Sequence, residues 1–345
     1  MKMKAVVTLD GQIQIADVPA PRLDDHSILV QTEYSAISPG TELMMQGITR
    51  TSPVILGYSA AGIVQQIGKE VSHIKVGQRV ACYGAPYVKH AESLAVPRNL
   101  AVPVPDCVSA AEASTVGLGA IAVHALRQAG LQFGESVVIA GLGILGQMIA
   151  QIAAAASYQV TAFDIMEERC AAAEQLGLEG VCRSAEEVGE RIANYTNRVG
   201  ADCVILCAGG KQSNLVDQAL HWIRDRGKVV IVGDLKMDFS RDLMFAKEAE
   251  LLISRAGGPG RYDLTYEKGG IDYPIGYVRW TEGKNMTEYI RLIAGGHIRI
   301  KPLISKILPF SQAEHAYAYY RENPKDTLGI VLDYGTPASL DKELG

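Results

Sequence analysis

Ser136-Val-Val-Ile-Ala-Gly141-Leu-Gly143-Ile144-Leu145-Gly146 is the stretch that decides how this chain of 345 residues folds. Ser136–Ala140 is a short apolar, β-branched run of the kind that forms a buried parallel strand. Gly-x-Gly-x-x-Gly follows, and then a helical pattern carried by Leu145, Met148, Ile149 and Ile152. A second apolar run, Gln159–Phe163, ends in the acid Asp164. Strand, glycine turn, helix, strand and terminal acid in that order point to a bound dinucleotide. The first glycine permits a tight turn, the second lets backbone approach a pyrophosphate, and the third lets helix and strand pack closely. The helix N-terminus offers unpaired N–H groups and a partial positive charge to the phosphates. Asp164 accepts hydrogen bonds from the adenosine ribose hydroxyls and repels a 2′-phosphate, so NAD is expected rather than NADP. The expected cofactor contacts are Gly141, Gly143, Ile144, Leu145, Gly146 and Asp164, with Gly233 closing a later strand.

Composition narrows the remaining classes. The chain is 48% hydrophobic and 21% charged, with a net charge of −5. Lysines and arginines are scattered, which speaks against nucleic acid or an anionic membrane surface as partner. No apolar run reaches the ~18 residues that cross a bilayer. The opening Met1-Lys-Met-Lys-Ala-Val-Val lacks a signal-peptide core and reads as a first strand, so a cytoplasmic location is the default expectation. The six cysteines form no disulfide-like framework, and Cys203 and Cys207 fall in a buried-strand pattern.

The texture of the chain changes once. The first ~115 residues hold short β-like runs (Ala5–Thr8, Ile28–Tyr34, Ala61–Ile67, Arg79–Tyr83 and Leu94–Val96) between Gly, Pro and Asp turns, which suggests an antiparallel, barrel-like domain. Ala110–Ala129 reads as one helix. From Ser136 strands and Ala-rich helices alternate, as in a doubly wound parallel sheet. Arg255–Gly283 is a long loop-like stretch dense in Gly, Tyr and Pro, and such a length suggests function.

Together these features resemble the medium-chain dehydrogenase/reductase superfamily. The phrases Val76-Gly77-Gln78-Arg79-Val80, Gly227-Lys228-Val229-Val230 and Ala313-Glu314-His315-Ala316-Tyr317 are also similar to that family. The resemblance implies an α/β chain with a Rossmann sheet over 119–297 and a GroES-like β-barrel catalytic domain over 1–118, completed by 298–345. It also implies a homodimer or homotetramer. Zinc-dependent members carry ligands in a Cys-Gly-Ser/Thr-Asp stretch and a Gly-His-Glu motif. Here the corresponding segments are Ser38-Pro39-Gly40-Thr41-Glu42 and Gly57-Tyr58-Ser59, and Thr115–Ile121 offers no third ligand. A catalytic zinc needs three such ligands, so no metal is expected. Ser35–Glu42, Gly258–Asp263 and Asp272–Glu282 further resemble a zinc-lacking branch that includes the dehydrogenase half of two-domain oxidoreductases. That branch implies a small polyhydroxylated substrate, a sugar, cyclitol or other polyol.

Alcohol oxidation without zinc requires a side chain to take the hydroxyl proton. Tyr58 stands where the family places a ligand. A phenol titrates near about 10 and would need a cation beside it to act as a base. Lys89 or His90 is that cation, or one of them is the base itself. Thr41 and Glu42 fit a hydroxyl relay and a carboxylate orienter. The alternative is that Tyr58 merely fills the space zinc vacates. Ser38, Tyr277, Arg279 and Trp280 are expected to meet the substrate's hydroxyls and ring face, or, for the last three, to pack between subunits. Two other readings remain open: an NADPH-dependent quinone or enoyl reductase, and a dinucleotide-binding protein without activity.

Overall fold

Ser136–Ala140 lies inside a six-stranded, fully parallel sheet whose order is Val181–Cys182, Gln159–Phe163, Ser136–Ala140, Ala201–Leu206, Ile223–Ile231, Glu250–Ile253. Numbered along the chain this is the order 3-2-1-4-5-6 of a doubly wound dinucleotide-binding sheet. In the computed structural model, which describes residues 2–48, 52–210 and 214–335, all five residues of Ser136–Ala140 are buried. Two sheet neighbours flank them, with Val137 opposite both Val160 and Cys203. A strand covered on both faces needs apolar side chains throughout, which is why this run does not alternate. The Asp202 carboxylate pins the start of the strand: it accepts from Ser136 N and Ser136 Oγ at 2.8 Å each and from Arg224 Nε at 2.7 Å. Burial alone would raise this carboxyl, but the hydrogen bonds from Arg224 and Ser136 hold it below its usual range.

The glycine turn explains itself through space. Gly141 has φ +99°, and a side chain there would strike Ala208 N at 2.5 Å. A Cβ on Gly146 would stand 1.8 Å from Gly141 O, so the helix Ile144–Ala155 can rest on the turn only with glycine at that position. At Gly143 a Cβ would meet nothing within 4 Å, and the backbone there faces open space.

The other compact unit comprises Met1–Leu118, Pro259–Ala294 and Ile304–Gly345. Its main sheet has seven strands, centred on the ten-residue Ser27–Ala36. That strand pairs with Ser59–Ile67, Ser93–Pro97 and the returning Gly329–Asp333. Gln12–Pro19, Lys2–Leu9 and Val54–Ile55 form a second, three-stranded sheet. The chain is therefore α/β, with a GroES-like unit and a Rossmann-like unit. No helix among the described residues is long and apolar enough to cross a membrane.

Two expectations are corrected here. Ala110–Ala129 is two helices, Ala110–Ala113 and Val116–Ala129, because the Ser114 and Thr115 hydroxyls turn back onto Ala111 O and Glu112 O at the break. Pro259–Ala294 belongs to the GroES-like unit and not to the dinucleotide-binding domain expected over 119–297. The reason is packing: Tyr266 enters that unit's core, and Arg98 Nε donates to Gly270 O at 3.1 Å. Conversely Gly295–Leu303 joins the Rossmann-like unit, where Arg299 N donates to Gln151 Oε1 at 2.8 Å.

Two substitutions test these constraints. Asp202→Ala is expected to destabilise the protein by roughly 2 kcal/mol at about pH 7. Because the carboxyl is held low, its contribution is present above the unfolded value and is lost as pH falls through the folded one. Denaturant midpoints of wild type and variant should therefore converge in acid. Gly146→Ala should weaken NADH binding by about tenfold or more, measured by fluorescence titration, since the added methyl must push the helix off the turn.

Candidate active site

Each predicted cofactor residue stands at the carboxyl end of a strand of the parallel sheet. Gly141 follows Ser136–Ala140, and Gly143 caps the helix Ile144–Ala155 with its backbone open to solvent. Leu145 and Gly146 lie in the first turn of that helix. Asp164 follows Gln159–Phe163 and is 5% exposed. Its Oδ2 accepts from Leu142 N at 2.7 Å, inside the glycine turn, and its Oδ1 from Met166 N at 2.9 Å. Arg169 Nη1 stands 3.4 Å from Oδ2. Gly233 packs so closely that a Cβ would lie 2.0 Å from Ala208 O, next to the turn Gly141 occupies. A carboxylate tied to the glycine turn and backbone amides at a helix N-terminus fit the ribose and pyrophosphate of a nicotinamide dinucleotide.

The second set of predicted residues lies in the GroES-like unit. Tyr58 is half-buried, and its hydroxyl donates to Ser38 Oγ at 2.6 Å. Ser38 N donates to Glu42 Oε1 at 2.8 Å. Glu42 belongs to the helix Pro39–Gln46 and is 1% exposed. Its other oxygen receives the Tyr317 hydroxyl and stands 2.9 Å from His90 Nε2. His90 Nδ1 is 2.7 Å from Ser35 Oγ, which in turn is 3.0 Å from the Tyr334 hydroxyl. An ionised Glu42 can only accept, so His90 then carries its proton on Nε2. Gly57, at φ +93°, is pressed against this group: a Cβ there would lie 2.6 Å from His90 N.

Burial raises the Tyr58 phenol well above its usual range and Glu42 adds to this, while hydrogen bonds with Ser38 and Thr41 pull the other way. The expected lowering by Lys89 or His90 does not occur. His90 is wholly buried and spent on Glu42 and Ser35. The half-buried Lys89 amine makes no side-chain hydrogen bond or ion pair among the described residues, and burial pushes its own pKa down. Thr41 is exposed at the start of the short helix. Tyr277 is 90% exposed, and the Arg279 guanidinium stacks 3.8 Å from the Trp280 ring centre. Sequence reasoning assigned no role to Ser35, Tyr317 or Tyr334. Tyr317 sits in one of the family-like phrases, but nothing local signals a contact with a residue so distant in the chain.

A catalytic zinc does not fit these residues. Tyr58 and Ser59 occupy the Gly-His-Glu positions, and Ser59 Oγ is used to join Ser114 O at 2.5 Å to Gly117 N at 2.8 Å. In the third segment Thr115 Oγ1 is 2.7 Å from the Tyr289 hydroxyl. No three His, Cys, Asp or Glu among the described residues are grouped to hold a metal ion.

Comparison with known proteins identifies the family. Residues 24–129 match the alcohol dehydrogenase GroES-like domain family, and residues 145–267 match the zinc-binding dehydrogenase family. The chain is 25% identical to a probable D-xylulose reductase A of Aspergillus terreus, over 89% of this chain and 91% of that protein. An Escherichia coli oxidoreductase/dehydrogenase of unknown specificity superposes with a TM-score of 0.81 at 22% identity, covering 97% of this chain and all of the other. An Escherichia coli alcohol dehydrogenase complexed with NADH superposes with a TM-score of 0.78 at 17% identity, covering 96% and 99%. With the dinucleotide turn and the buried Glu42 group both in place, this chain is an oxidoreductase of the medium-chain dehydrogenase/reductase superfamily.

Proposed function

We propose that the protein is a zinc-independent, NAD-dependent oxidoreductase that interconverts a ketone and a secondary hydroxyl on a sugar or other polyol. The observation that carries this reading is the Tyr58 hydroxyl, 2.6 Å from Ser38 Oγ at the position where related enzymes place a metal ligand. Bound at the glycine turn, the nicotinamide supplies or accepts the hydride. The proton is then the task of this chain's own residues. A phenol raised above its usual range is neutral across the working pH, so Tyr58 holds a proton ready for the oxygen that gains charge when a ketone is reduced. Ser38 Oγ accepts the Tyr58 hydrogen bond, and the proton that Tyr58 gives up is replaced from solvent through the Ser38 hydroxyl, which gains one proton as it passes one on. Glu42, with His90 and Tyr317 behind it, holds Ser38 in place through its backbone N–H. Thr41 keeps the phenol's surroundings polar. The similarity to a D-xylulose reductase supports a ketose and polyol as the substrate pair.

Cofactor choice follows from Asp164. A carboxylate held in the glycine turn attracts ribose hydroxyls and opposes a 2′-phosphate, which argues against an NADPH-dependent quinone or enoyl reductase.

Oxidation of NADH is the assay, followed over a panel of ketoses and simple ketones after exhaustive chelation. Chelated wild type should retain activity on a ketose. Tyr58→Phe should lower kcat by about 100-fold or more while leaving NADH binding intact. Loss of activity on chelation with recovery on adding zinc would overturn the metal-free reading. NADH binding without turnover of any carbonyl would favour a catalytically silent protein. Asp164→Ala should weaken NAD binding by roughly 10- to 100-fold, the worth of hydrogen bonds to a charged group, and narrow the gap to NADP. An unchanged ratio of NAD to NADP affinities would remove Asp164 from the assignment.

A further inference from the structure

The carboxyl of Glu282 has no part in the reaction proposed above. It opens the helix Glu282–Ala294, its residue is 0% exposed, and neither Oε1 nor Oε2 finds a hydrogen-bond partner among the described residues. A buried carboxylate without a partner is far costlier than a buried neutral acid, so such a position calls for a held proton.

Its surroundings are well defined. Glu282 N donates to Pro259 O, two residues before Arg261 in the chain. On either side of Glu282, Thr281 Oγ1 and Gly283 N both bond the Tyr266 hydroxyl, at 3.0 and 3.2 Å. Tyr266 immediately precedes Glu267. The Arg261 side chain is 7% exposed, pairs with the 4% exposed Glu267, and donates Nη2 to Ala85 O at 2.5 Å. The same guanidinium lies 4.1 Å from the ring centre of Tyr262 and 5.9 Å from that of Tyr83. Tyr83 meets Tyr58 edge-on at 5.7 Å.

The charged and titratable groups around Glu282 come from several elements. Arg261 attracts its carboxylate and Glu267 repels it. The phenols of Tyr83, Tyr266 and Tyr273 feel its charge. From the neighbouring turn Arg98–Leu100, Arg98 is committed to the carbonyls of Glu70 and Gly270. On the helix itself Lys284 pairs with Asp272, and Arg291 with Glu288.

We propose that Glu282, Arg261 and Glu267 form a buried two-state charge cluster behind Tyr83. While Glu282 keeps its proton, Arg261 pairs with Glu267. When Glu282 releases that proton to solvent, it competes with Glu267 for the guanidinium. Arg261 cannot turn toward Glu282 without shifting on Tyr262 and Tyr83, so the exchange is felt beside Tyr58.

Burial pushes the Glu282 carboxyl up to about 8, Arg261 opposing and Glu267 adding to the rise. The folded state thus keeps a proton that the unfolded chain gives up nearer the ordinary 4.5. Stability is full in acid, falls as pH rises through this window, and levels off above about 8. The bearing on catalysis rests on the assignment of Tyr58. The titration does not, because it is read without turnover, so the two can fail separately.

Infrared spectroscopy of the full chain tests the proposal through the carbonyl band of a protonated carboxyl. In wild type that band should be present at about pH 6 and fade near about pH 8. It should be missing in Glu282→Gln. Glu267→Gln should lower the midpoint by about one pH unit or more, since Arg261 is then free to serve Glu282. In thermal melts, Glu282→Gln should gain on wild type by about 5 °C between roughly pH 6 and pH 9. Absence of the wild-type band at about pH 6, or its survival in Glu282→Gln, would overturn the protonated carboxyl. A midpoint unmoved in Glu267→Gln would overturn the competition for Arg261. That comparison and the wild-type band remain informative even if Glu282→Gln does not fold.

Discussion

A carboxylate that water barely reaches constrains the whole GroES-like unit. Glu42 receives a backbone N–H from Ser38, a phenol from Tyr317 and an imidazole from His90. These donors come from three separate stretches of chain: the residue that precedes the short helix, the C-terminal helix Ala313–Glu322, and the loop after Arg79–Tyr83. Leaving a buried carboxylate short of a hydrogen-bond donor costs roughly 1–3 kcal/mol or more, so the three stretches are held to one geometry. Ser38 is fixed because its own amide is one of the donors, and Tyr58 is fixed in turn by its bond to Ser38. Gly57 allows the backbone beside Tyr58, just before the strand Ser59–Ile67, to come close to His90, where any side chain would clash with the imidazole.

The same unit treats three buried carboxyls in three ways. Glu42 has donors on both oxygens. Glu267 is matched by the Arg261 guanidinium and the Tyr262 N–H. Glu282 has neither, and its environment raises its pKa instead. The three differ in the number of donors within reach.

Much of the fold was legible because it rests on local pattern. The run from Ser136 to Gly146 prescribed strand, turn and helix, and two of its glycines prove to be demanded, Gly141 by its φ angle and its contact with Ala208 and Gly146 by its approach to Gly141 O, while Gly143 leaves its backbone uncovered. Asp164 was legible for the same reason, since its position relative to the turn is set by one strand–helix–strand unit. The loop-like Arg255–Gly283 was harder to read. Its attachment depends on single long-range bonds such as Arg98 to Gly270 and Arg261 to Ala85, which leave no periodicity in the sequence. Glu42 and His90 were singled out, yet their pairing with each other and with Tyr317 was not, because pairing of distant residues follows from strand register and not from composition. The protonation behaviour of Tyr58 was misjudged. A cation nearby in sequence, Lys89 or His90, counted for less than burial and the neighbouring Glu42.

On the proposed assignment a phenol stands where related enzymes place a metal ligand, and it treats the reacting oxygen differently. A metal stabilises the alkoxide that forms when an alcohol loses its proton. A phenol in the surroundings of Tyr58 does the reverse, because burial and the charge of Glu42 both resist its ionisation. Such a group stays protonated near neutral pH and can donate a hydrogen bond to a developing oxyanion, while its raised pKa makes it a weaker acid. In the proposed reduction the charge that builds on the carbonyl oxygen is met by this O–H, and Ser38, 2.6 Å away, lies on the route by which the phenol regains its proton. On the proposed assignment the same pair serves both directions, the phenol that protonates the oxyanion in reduction taking that proton back in oxidation.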